Sequence, residues 1–297
     1  MTLKKYLTLS VILIVGVLFF YGCSSNTTIR GLNYNSESYP AIDGSTATIP
    51  LSEALAAKLM DMPIEEARQY VAHSKTHEAY VNLIKGEVDL IFVTSPSEEE
   101  LKLAEESEIE LEVIPVVSEA FVFLNAADNP VNGLTIDQIQ KIYTGEYTNW
   151  KEVGGDDMPI KAYQRPVNSG SQTGFLGLVM KELEPMEAPS EQSIAGMGEL
   201  IDTVSTYTNQ PDGIGYSYYY YASAMWGNDK VKLLKINGIE PNNETIASGD
   251  YPIHTSYYAV IRSDEKKNSE ARKIISYLLS KEGQALAQEA GYVKVKK

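Results

Sequence analysis

Two loops of the chain hold residue types suited to binding a small anion. The first, Asp43-Gly-Ser-Thr-Ala-Thr48, follows a strand-like stretch and precedes a helix-like one opened by Pro50. Proline is favoured in a first helical turn, where its missing N–H costs nothing. Gly44 would let a ligand approach the backbone, and Ser45, Thr46 and Thr48 supply hydroxyls beside the free N–H groups of a helix start. The second loop, Arg165-Pro-Val-Asn-Ser-Gly-Ser-Gln-Thr173, again lies between a strand and a helix. Ser169, Gly170 and Ser171 repeat the hydroxyl–glycine–hydroxyl pattern, and Arg165 adds a guanidinium able to grip an oxyanion with two N–H groups. Either loop alone reads as a helix cap with a turn glycine. Together with the arginine they point to a tetrahedral oxyanion, which needs donors on opposite sides and finds them between two facing helix starts.

Other chemistries find weaker support. A serine hydrolase would have to use Gly170-Ser-Gln-Thr-Gly174, but a G-x-S-x-G elbow needs serine at its centre, and that place holds Gln172. His254 would be its base, being the one histidine apart from His73 and His77. Those two stand four apart and would share a helix face, yet no third metal ligand can be assigned, so a solvated face is expected and no metal. Tyr216 and Tyr218–Tyr221 fit a half-buried sheet or hinge, with hydroxyls reaching polar partners, better than a stacking site. Glu98–Glu100 reads as a helix start, where negative charge suits the dipole. No enzyme activity and no cofactor are expected.

The elements that must position the loops alternate between strand and helix from Tyr39 to the C-terminus, the pattern of an α/β fold. Ala41–Gly44 reads as a strand end and Pro50–Met60 as a helix. Val88–Val93 reads as a buried parallel strand and Glu98–Glu108 as a charged helix. Leu111–Val117 and Ala120–Leu124 read as two strand-like runs, and Thr135–Tyr143 as a helix. Ile160–Gln164 reads as a strand, and Gly174–Leu183 as a helix that begins in a Ser/Gly loop. Ile214–Ala222 is a tyrosine-rich strand or hairpin, Tyr257–Ile261 a strand, and Ser269–Ala290 one long amphipathic helix.

The N-terminus sets the compartment. Lys4 and Lys5 precede an uncharged run, Tyr6–Gly22, which ends at Cys23, the one cysteine of the chain. This length suits a signal h-region rather than a spanning helix of ~20 residues. Residues 1–22 are therefore expected to be a signal peptide, with Cys23 lipidated after Gly22 and 23–35 forming a tethered linker. An uncleaved anchor helix is the alternative. With no second cysteine, stability must come from a core, for which roughly 260 residues beyond residue 35 suffice; that length favours two lobes. The net charge of −15 argues against nucleic acid or anionic lipid as partner, though not against a small anion held by local N–H groups.

The string Ile42-Asp-Gly-Ser-Thr-Ala-Thr-Ile-Pro-Leu51 resembles the N-terminal signature of phosphate-binding proteins of the PstS type. So does Leu134-Thr-Ile-Asp-Gln-Ile-Gln-Lys-Ile-Tyr-Thr-Gly-Glu-Tyr-Thr-Asn-Trp150, and Arg165 with Ser169-Gly-Ser171 is similar to that family's arginine loop. Lys281-Glu-Gly-Gln284 and Gly291-Tyr-Val293 close the chain as the family does. The resemblance spans nearly the whole chain beyond the linker. It implies a two-lobed type II periplasmic-binding-protein fold with two crossover hinge segments, Glu119–Leu124 and the stretch around Ser256–Val260. Lobe one would comprise 36–118 with 257–297, and lobe two 125–250. It also implies a monomer that captures inorganic phosphate for an ABC permease, with Thr46, Thr48, Thr94, Ser95, Arg165, Ser169, Gly170 and Ser171 at the anion. Some members carry an aspartate after the strand matching Asp89–Val93, where it accepts the proton of bound phosphate and so refuses sulfate. Here Thr94 stands there, leaving Asp43 or Glu119 to supply the acceptor. Sulfate, molybdate or tungstate, or a sensor module of the same fold, are the alternatives.

Overall fold

The short run Ile42–Gly44 (β1) is buried throughout although it ends a mixed sheet: it runs parallel to Leu90–Val93 (β2) on one side, and on the other Ile42 bridges Val71. In the computed structural model, which describes residues 32–206 and 211–295, that sheet has eight strands among the described residues. Leu111–Ala126 (β3) is its spine, and Gly133–Leu134 (β4) lies outside it. Lys161–Ala162 (β5), Gly213–Tyr218 (β6) and Val231–Leu233 (β7) follow, with Lys235–Ile236 (β8) pairing β4 in a small second sheet. His254–Arg262 (β9) and Val293–Lys294 (β10) complete the main sheet, ordered β1-β2-β9-β3-β6-β5, with β7 and β10 also on β3.

β3 is one strand where two runs were expected. Its register against β9 shifts between Pro115 and Val117, at a residue with no N–H to give, and pairing then resumes. From Leu111 to Ala120 β3 pairs with β9; from Phe121 to Asn125 it pairs with β6. One strand thus serves two halves of the sheet.

The helices are Ile49–Met60 (α1), Ile64–Ala67 (α2), Thr76–Lys85 (α3), Glu98–Glu106 (α4) and Ile136–Tyr143 (α5). Gly170–Gly174 (α6), Met197–Thr206 (α7), Asn243–Ser248 (α8), Glu270–Leu278 (α9) and Lys281–Glu289 (α10) follow. Capping boxes open α4 at Ser97, with Glu100, and α5 at Thr135, with Gln138. The second helix-like stretch begins earlier than its sequence suggests: Ser169 caps α6 by accepting from Gln172 N–H (3.2 Å), and a π-helical turn, Phe175–Met180, continues it. The expected long helix 269–290 is two, because Ser280 accepts from Gly283 N–H (3.1 Å) and starts α10 afresh. Among the described residues no helix is long and apolar enough to cross a membrane. The signal-like segment and Cys23 lie outside the described residues.

The core runs along β3 through an aromatic nest. Phe175 stacks on Tyr216 (centroids 4.6 Å apart, planes 8° apart), and Tyr143, Phe121 and Phe123 close around them. Rings packed this closely make a rigid floor beneath the arginine loop.

Candidate functional site

The two loops reach one cleft of about 740 Å³, lined among others by Ser45, Thr46, Thr94, Arg165, Ser169 and Gly170. One of its tight points is Gly170. A Cβ there would come within 2.6 Å of Thr76 Oγ1 and 2.7 Å of Thr94 Oγ1, so only glycine lets the start of α6 meet the end of β2 and the start of α3. The tyrosines of β6 hold the loop from behind. Tyr218 Oη donates to Gly170 O (3.0 Å), and the Arg165 N–H donates to Tyr216 Oη (3.0 Å) and Gln172 Oε1 (3.1 Å). Tyr216 Oη donates in turn to Gln172 Oε1.

Arg165 is the chemical centre. Its Nη2 donates to Ala195 O (2.8 Å), whereas Nε and Nη1 are buried and make no hydrogen bond. Burial pulls the guanidinium below its ordinary pKa, against the opposing pull of Tyr216, Tyr221 and Glu199, yet arginine stays charged at any ordinary pH. A cation with two nitrogens buried and unpaired costs free energy until an acceptor arrives. Thr94 Oγ1, also buried, adds a hydroxyl beside the Tyr218 phenol.

The remaining predicted residues divide. Thr48 is fully buried and outside the cleft lining; its Oγ1 donates to Phe92 O (2.7 Å) and Ser45 O (2.9 Å), so it shapes the loop. Gly44 answers packing rather than ligand approach, since a Cβ would fall 2.7 Å from Phe92 O. Ser171 Oγ is buried and unpaired but outside the lining, as is half-buried Ser95. Asp43 and Glu119 also stand outside it. Asp43 accepts from Gly44 N–H (2.7 Å), Ser74 N–H (2.8 Å) and Asn82 Nδ2 (2.8 Å), which pegs β1 to the approach of α3. Glu119 accepts from Ala120 N–H (2.8 Å) and Tyr220 N–H (3.2 Å) inside the core. The carboxylates that do line the cleft are Glu78 and Glu199.

The approach to α3 and its first turn, Ser74 to Glu78, line the cleft as well and were not foreseen. Lys75 precedes that helix at φ 74° and offers no side-chain cap, so no capping residue marks the start. His73 therefore lies before the helix and His77 within it, not on one helical face; His77 Nδ1 sits 3.2 Å from Glu100 Oε1. Among the described residues no cluster of three or more His, Cys, Asp or Glu is placed to hold a metal.

A family model described as a PBP superfamily domain matches residues 39–282. Among curated proteins, the phosphate-binding protein PstS of Bacillus subtilis is 29% identical over 265 residues, covering 86% of this chain and 80% of its own. The phosphate-binding protein PstS of Borreliella burgdorferi is 24% identical over 285 residues, covering 94% and 98%. Among solved structures, a Clostridium perfringens protein with bound phosphate, described as a phosphate ABC transporter substrate-binding protein, superposes with TM-score 0.68 at 26% identity, covering 86% of this chain and 99% of that one.

Proposed function

The chain belongs to the PBP superfamily, and from that membership we propose that it captures inorganic phosphate outside the cytoplasm for an ABC importer. It acts as a monomeric binding protein without cofactor, not as an enzyme. Cys23 carries its lipid anchor, a reading supported by Lys4, Lys5, the apolar run and Gly22. Residues 36–118 with 257–297 make one lobe and 125–250 the other, hinged at Glu119–Leu124 and around Ser256–Val260. The change of partner along β3, from β9 at Ala120 to β6 at Phe121, supports that division.

The observation that carries the reading is half-buried Arg165, which lines the cleft with Nε and Nη1 buried and unpaired. Relatives named as phosphate-binding proteins favour phosphate over sulfate, molybdate or tungstate. Hydrogen bonds to a charged group contribute ~1.5–3 kcal/mol each, against roughly −8 kcal/mol for micromolar binding, so Arg165 supplies a large share. Closure of the lobes and desolvation offset part of it. Calorimetric titration with phosphate and then sulfate tests the reading. Phosphate should bind and Arg165→Ala should weaken it about a hundredfold or more, with the fold kept. No heat from any oxyanion would leave the two loops as helix caps only.

A further inference from the structure

Much of the cleft wall is apolar, which an inorganic oxyanion does not need. Beside Arg165 its wall continues as an aromatic shelf. Tyr221 is near enough to interact electrostatically with Arg165, and Trp226 lies parallel to Tyr221, with centroids 6.2 Å and planes 10° apart. The indole is fixed in place: Nε1 donates to Asp202 Oδ1 (3.1 Å), and the ring rests on Gly198, where a Cβ would come within 2.6 Å of it. Held this way it is still 41% exposed. Among the described residues the large exposed hydrophobics are Leu101, Val167, Leu183 and Trp226, and two of these, Val167 and Trp226, line this cleft. Apolar surface gathered beside an anion-binding arginine fits a ligand that has both an anionic and an apolar end.

We propose that the cleft also binds phosphate monoesters carrying a flat organic group, with the phosphate on Arg165 and the organic group against Trp226. The proposal rests on the oxyanion reading of Arg165 and adds a second ligand class to it.

The test is calorimetric titration of the ligand-stripped full chain with inorganic phosphate and with phenyl phosphate. Both should bind, phenyl phosphate at least as tightly. Trp226→Ala should weaken phenyl phosphate about tenfold, the scale of one aromatic contact, and inorganic phosphate by less than about twofold. A readout on the unaltered protein covers the case in which that variant fails to fold. The chain has two tryptophans, and Trp150 is fully buried, so quenching of the exposed indole's emission by 4-nitrophenyl phosphate, but not by phosphate, reports on Trp226. Binding of phosphate with refusal of phenyl phosphate overturns the proposal and leaves the oxyanion reading standing. Absence of quenching at saturating 4-nitrophenyl phosphate overturns it too. No binding of either ligand removes both readings together.

Discussion

Arg165 leaves two nitrogens, Nε and Nη1, unpaired because its surroundings fix everything else about it. Its backbone is tied to Tyr216 and Gln172, and its third nitrogen to Ala195 O. Electrostatic contacts strengthen as water is excluded, so Glu199, which acts on Arg165 through space, also acts on whatever Arg165 holds. Glu199 Oε2 already accepts the Gly196 N–H (3.1 Å), which leaves Oε1; facing a bound anion, that oxygen would accept the proton of monohydrogen phosphate and repel sulfate, which has no proton to give at neutral pH. Glu199→Gln should therefore weaken phosphate and strengthen sulfate, lowering their affinity ratio about tenfold or more in parallel titrations. An unchanged ratio would move that role to Glu78, the other carboxylate of the lining. Gly170 makes a second prediction at this scale. Gly170→Ala pushes a methyl into Thr76 Oγ1 and Thr94 Oγ1, so the first turn of α6 must withdraw from both. Phosphate affinity should fall at least about tenfold while the melting temperature shifts by only a few degrees, which titration and calorimetry of one preparation would show.

The elements show which parts of this arrangement were legible in sequence. The two loops could be read because hydroxyls, glycines and an arginine at a helix start are local chemistry. Which hydroxyls remain free could not: Thr48 is occupied by Phe92 O, forty-four residues along the chain. The first turn of α3 was missed because Lys75 adopts a positive φ (74°) that its residue type does not signal. The break between α9 and α10 was hidden for a different reason. Apolar spacing continues across it through Leu278, Leu279 and Leu286, and the Ser280 cap has Gly283 where a capping box would show Glu or Gln. That cap is testable. Ser280→Ala removes the acceptor for Gly283 N–H and should lower stability by about 1 kcal/mol in denaturant titration, with phosphate affinity unchanged. A glycine in place of Ser280 should cost only a few tenths of that amount.

For the molecule as a whole, Glu119 links the sheet's change of partner to pH. It is 1% exposed, one residue before β3 leaves β9 for β6, and it accepts N–H groups from Ala120 and Tyr220. The Tyr220 ring stacks on Tyr292 (centroids 3.8 Å apart), whose Oη donates to Ala47 O (2.8 Å) in the loop before α1. Tyr218, Tyr219 and Tyr257 also surround the carboxyl, and the pairing of β3 with β9 sets Thr255 opposite Glu119 and His254 opposite Ala120. Burial pushes Glu119 up to about 8, although the backbone N–H groups draw it back. In the unfolded chain the same acid titrates near 4.5. Between those values the native state binds the extra proton, so this contribution to stability is complete below about pH 4.5. It declines by about 1.4 kcal/mol per pH unit as pH rises and is fully lost above about 8. Exposed acids such as Asp157 and Glu270, whose values are lowered by Lys151 and Lys273, pull the other way at lower pH, so the raw profile mixes signs. The difference between Glu119→Gln and the parent isolates the term, because glutamine keeps an oxygen for both N–H groups and has no charge to bury. Denaturant titrations at unit steps from pH 5 to 9 should show the variant gaining on the parent up to about pH 8 and holding level beyond it. A difference flat across that range would mean that the two N–H groups alone keep Glu119 ionised in the core, and β3 would then carry a buried charge rather than a buried proton.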